Sequence, residues 1–193
     1  MRRRIISIAG SSRTKRDSYE YQLAFEVGKA IIDNGYRLQT GGLAGIMEAA
    51  SKGARSSEKY REGDIIGILP GFDANVCNEY VDIAIPTGID IYRNIIVANA
   101  SAVIAISGGS GTLTEIGNAW ALKKLIVGME GTKGWSSKLA GKRVDDRERY
   151  PNIPEDQVYP AKTAEEALAI INKYIDLYQD AHVPIHFELK KGK

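Results

Sequence analysis

The segment Ala102-Val103-Ile104-Ala105-Ile106 constrains this chain most. It is apolar at every position and runs straight into Ser107-Gly108-Gly109-Ser110-Gly111-Thr112. A strand apolar on both faces is covered on both, as a central strand of a parallel sheet is. The glycines then let the backbone turn sharply into a helix, predicted over residues 112–123. The same grammar repeats along the chain. Strands are predicted at 5–9, 37–40, 64–69, 81–85 and 125–128. Helices are predicted at 18–34, 44–56 and 163–179, with another from Asp90 to about Ala100. Asp17 with Glu20, and Thr163 with Glu166, have the spacing of helix-start capping pairs. Alternating strands and helices imply an α/β, Rossmann-like doubly wound parallel sheet with helices on both faces, built as a single domain over residues 1–193. Residues 131–160 are polar and irregular, and read as a loop excursion with one short helix near 136–140. Residues 181–193 read as a C-terminal tail interrupted by Pro184.

Charge excludes one class of partner. The chain has 26 Lys and Arg against 24 Asp and Glu, a net charge of +2. Nucleic-acid binding calls for a basic excess or stripe, so none is expected. The single cysteine, Cys77, excludes an internal disulfide and fits a cytoplasmic setting. After Met1-Arg2-Arg3-Arg4 the apolar run is only about five residues, short of the ~7–15 of a signal core, so it reads as the first strand. No stretch approaches the ~20 apolar residues of a membrane span. His182 and His186 are separated by Pro184, which argues against a helical metal pair, and no metal site is expected.

The turn at Ser107 to Thr112 is the first candidate site. A helix N-terminus offers free N–H groups and partial positive charge, which suit a phosphate. Ser110 and Thr112 add hydroxyls. The spacing matches neither the P-loop nor the dinucleotide fingerprint. Thr112-x-x-Glu115 has capping-box spacing, so Glu115 reads equally as a cap or as a catalytic carboxylate. Two further turns follow strands: Thr40-Gly41-Gly42-Leu43-Ala44-Gly45-Ile46-Met47, and Gly10-Ser11-Ser12-Arg13. If they converge, Gly10, Ser11, Ser12, Gly41, Gly42 and Met47 share one ligand with the first turn. Arg93 sits in the first turn of the helix from Asp90. An arginine in apolar company is usually paired with a carboxylate or phosphate. The helix at 91–100 is apolar on most sides, which predicts a homo-oligomer, dimer or tetramer, closed through it.

Together these residues resemble the Lonely Guy family, also called lysine decarboxylase-like, from about Arg4 to Gly128. The family's Pro-Gly-Gly-x-Gly-Thr-x-x-Glu turn is matched by Ser107 to Glu115, and its Arg-Lys pair by Arg93-Asn94. In active members the Arg and Glu carry hydrolysis of the N-glycosidic bond of nucleoside 5′-monophosphates, releasing base and ribose 5-phosphate. The resemblance thus implies catalytic roles for Arg93 and Glu115, with Gly108 to Thr112 on the phosphate. This chain departs from the pattern at Ser107, in place of Pro, and at Asn94, in place of Lys. The stretch from Gly41 to Ala54 and the Arg93-Asn94 pair are more similar to a sister group that includes molybdenum cofactor carrier proteins. That likeness implies a binder of a phosphorylated nucleotide-like ligand, a nucleotide monophosphate or molybdenum cofactor, with no further cofactor required. Nothing resembles a pyridoxal-phosphate site.

Overall fold

In the computed structural model, residues 2–178 are described. The predicted tail, with His182 and His186, lies outside them. Seven strands form one sheet: β1 Ile5–Gly10, β2 Arg37–Thr40, β3 Ile65–Leu69, β4 Ile83–Pro86, β5 Ala102–Ile106, β6 Leu125–Met129 and β7 Val158–Ala161. Their order is β4-β3-β2-β1-β5-β6-β7, and every adjacent pair is parallel. The Rossmann-like α/β expectation holds.

The alternation of side chains along each strand makes two cores. On one face Ile6, Ile8, Leu38, Ile104 and Ile106 pack with α1 (Tyr19–Asp33), α2 (Ile46–Arg55) and α6 (Ala164–Tyr174). On the other, Ala9, Val103, Ala105 and Ile126 pack with α3 (Asn94–Ala98), α4 (Ser110–Ala121) and α5 (Trp135–Leu139). The chain leaves β1 towards β2 and leaves β5 towards β6, so the loops after β1 and β5 part in opposite directions. The crevice outside the carboxyl ends of such diverging strands is where open α/β sheets bind ligands.

Several boundaries differ from expectation for identifiable reasons. The excursion at 131–160 ends in a seventh strand, β7. That strand has four residues and contains Pro160, weak marks of a strand, but it adds to the sheet edge beside β6. The helix expected at 91–100 is a 3-10 turn, Asp90–Arg93, followed by a single α-helical turn, α3. Ser18, not Asp17, caps α1, its hydroxyl accepting from the Tyr21 N–H. Thr163 caps α6 as expected, accepting from the Glu166 N–H, but Glu166 returns its carboxylate to the N–H of Lys162.

Candidate functional site

The turn after β5 is held from behind. Its backbone enters the left-handed region at Ser107, with φ 59°, and stays there at Gly108, with φ 98°. Proline's ring holds φ near −65°, so a Pro cannot occupy position 107 on this backbone. A side chain at Gly108 would lie 2.1 Å from the Thr112 Oγ1, so that glycine is required by packing. The start of the expected excursion braces the turn. The Trp135 and Ser136 N–H groups donate to the carbonyls of Gly108 and Ser107, at 3.0 and 3.2 Å. The Ser107 N–H donates to the Thr132 hydroxyl.

What faces forward is left open. Helix α4 begins at Ser110, its N-cap is Gly109, and no side chain caps it. The first N–H groups of an uncapped helix lack protein partners. A side chain added at Gly109 would meet nothing within 4 Å, and one at Gly111 would meet only the Asn94 Nδ2 at 4.0 Å. These two glycines therefore answer to no packing demand within the protein.

The capping reading of Glu115 is overturned, because the helix starts two residues before Thr112 and Glu115 lies beyond its first turn. Glu115 is 6% exposed. Burial pushes its carboxyl up to about 7, against the opposing pull of the Arg93 charge. Arg93 is 8% exposed, and its Nη1 is buried with no hydrogen-bond partner. Burial lowers its basicity, and the charges of Glu115 and Asp90 act the other way. A side chain on Gly41 would sit 2.0 Å from that Nη1, so Gly41 gives the guanidinium its room. Asn94 donates to the Thr114 hydroxyl at 2.8 Å, which ties α3 to α4.

These groups surround a crevice of about 380 Å³, lined by Gly10, Ser11, Ser12, Met47, Arg93, Gly109, Ser110, Gly111, Thr112 and Glu115, together with Arg13, Leu43 and Asn94. Four expected residues do not line it. Gly41 lies behind Arg93, Gly42 packs against Leu69 and Gly67, Gly108 supports the turn, and Ser107 faces a neighbouring cleft. Leu43 carried no signal beyond its place between glycines. Among the described residues no group of three or more His, Cys, Asp or Glu could hold a metal ion. No helix there is long and apolar enough to cross a membrane.

Comparison with known proteins agrees with this architecture. An uncharacterised protein of Archaeoglobus fulgidus is 41% identical over 109 residues, covering 56% of this chain and 68% of that one. The molybdenum cofactor binding protein of Rippkaea orientalis superposes with a TM-score of 0.73 at 30% identity, covering 91% of this chain and 99% of that one. The molybdenum cofactor carrier protein of Chlamydomonas reinhardtii gives a TM-score of 0.69 at 28% identity, with the same coverage. The family model described as SLOG cluster4 matches residues 3–167, from before β1 into α6, and with them both halves of the crevice; the chain belongs to the SLOG cluster4 family.

Proposed function

We propose that this protein binds a phosphorylated nucleotide-like ligand at the crevice between β1 and β5, and that the ligand is molybdenum cofactor held without turnover. The observation that carries the reading is the Arg93 Nη1, buried beside the uncapped start of α4 with no partner from the protein. A buried cation donor without an acceptor is costly unless a ligand supplies one. A phosphate supplies oxygens to that guanidinium and to the α4 N–H groups together. Molybdenum cofactor binding in one structural relative and its carriage by another support the choice of ligand. So does Asn94, which binds α4 where a lysine would add a further cation to the crevice beside Arg13 and Arg93.

The test is a calorimetric titration of molybdopterin and of a panel of nucleoside monophosphates into wild type and Gly109→Trp. The new side chain meets open space in the protein and fills the ligand's place. Binding by wild type and its loss in the folded variant are expected. Equal binding by both would refute the reading.

Glu115 favours one other reading, nucleoside 5′-monophosphate phosphoribohydrolase. A buried carboxyl poised near neutrality beside an arginine suits proton transfer. In that reaction water bonds to the ribose C1′ as the N-glycosidic bond breaks. Glu115 takes the water's proton and passes it to the departing base. Release of free base from monophosphates, abolished by Glu115→Gln, would establish it; no release across purines and pyrimidines would remove it.

The 3-10 turn Asp90–Arg93 and α3 carry the oligomer reading. Ile91, Tyr92, Ile95 and Ile96 are exposed, and Phe72, Ile83, Ile85 and Ile89 are exposed as well. Exposed apolar side chains in such number suit an interface, and a second copy of the chain is the proposed occupant. Light scattering should give a dimer or tetramer; a monomer would contradict it.

A further inference from the structure

A second cleft of about 330 Å³ adjoins the first and shares Ser11 and Arg13 with it. Its charged lining is Arg13, Lys15 and Lys133 against a single carboxylate, Glu20. The chain as a whole has nearly equal numbers of both signs, so this local excess of cations is not what composition alone would produce. All three cations are exposed, and among the described residues none has an ion-pair partner. They come from separate stretches of chain: Arg13 and Lys15 from the loop after β1, Lys133 from the loop after β6. The N-cap of α1, Ser18, completes the wall, so a second helix start contributes positive potential. Ser107, at the strained exit of β5, lies in this cleft, while Gly109 lies in the first. The glycine turn therefore separates two clefts of like polarity at the same edge of the sheet.

We propose that Arg13, Lys15 and Lys133 form a second anion subsite, so that the protein takes ligands with two separated anionic groups, one at α4 and one in this cleft. The inference rests on the phosphate reading of the α4 crevice and adds the chemical class of the ligand's other end. That end is a second phosphoryl group or another oxoanion. A ligand whose far end is an uncharged base leaves the three cations unused.

The test uses inorganic phosphate as the probe and backbone amide resonances of the full chain as the readout. In wild type, two sets of shifts should move: one at Ser110 to Thr112, the other at Thr14 to Ser18 and at Lys133. In the double variant Lys15→Ala, Lys133→Ala, affinity for the second set should fall about tenfold or more, as two lost charge contacts would give. The first set should titrate as before. Both lysines are exposed, so the variant should keep its fold, checked by the unmoved remainder of the spectrum. A second set that never moves, or that moves alike in both proteins, would overturn the subsite and leave the α4 reading standing. A silent first set would instead overturn the α4 reading.

Discussion

Two arginines, Arg93 and Arg149, are buried to nearly the same degree, at 8% and 6% exposure. Arg149 is fully served by the protein. It donates to both carboxylate oxygens of Asp156 at 2.8 and 2.5 Å, and to the carbonyls of Trp120 and Lys124 at 3.1 Å. Its guanidinium lies 3.6 Å from the Trp120 ring centroid. It fastens the end of α4 to the segment before β7. Arg93 stands near the opposite end of α4 with Nη1 unpaired. A fold able to satisfy one arginine so completely leaves the other short where the sheet opens. The difference separates a structural charge from the one the proposed function assigns to a ligand.

The comparison breaks first on stability. Arg149→Ala strands Asp156 in the interior and should cost about 3–5 kcal/mol in denaturant unfolding. Arg93→Met at pH 6, where Glu115 is largely protonated, should change stability by less than about 1 kcal/mol, since no complete hydrogen-bond set is lost. Equal losses would end the distinction.

Glycines sharpen the same contrast. A side chain at Gly28 would lie 2.0 Å from the Ala50 carbonyl oxygen, where α1 meets α2. Gly28→Ala should therefore cost about 3 kcal/mol through forced helix separation. Gly109→Ala meets open space and should be neutral within about 0.5 kcal/mol, while weakening ligand binding. Thermal melts and calorimetry on both variants decide this.

The smallest effect concerns Glu115. Its folded value, about 7, lies above the ordinary 4.5, so the folded state holds the proton more tightly. Stability drawn from the neutral carboxyl is full below about 4.5 and is lost as pH rises through about 7. Glu115→Gln should flatten that profile and be the more stable of the two proteins at pH 8. Parallel pH profiles for the two proteins would show that Glu115 is not buried as described.

Most of the fold was legible because apolar runs such as Ala102–Ile106 leave little alternative to a covered strand. β7 was not, since a short strand with a proline is recognisable only by its neighbour, Met129 pairing with Ala161. The glycine turn was legible as a candidate site. Its internal division was not: Gly108 and Gly109 are adjacent, yet one serves packing and the other faces the crevice. Only the three-dimensional start of α4 settles that, and the same start removes Glu115 from the cap. Residues from distant loops, such as Leu43, and Lys133 in the second cleft, meet the glycine turns through the sheet order rather than through sequence spacing.

Native mass spectrometry of the protein purified without denaturation tests the central claim most directly. The account predicts a phosphorus-containing adduct on the wild-type protomer that disappears in Gly109→Trp and in Arg93→Met. A bare wild-type protomer at 21.1 kDa, or the same adduct on all three proteins, would contradict it.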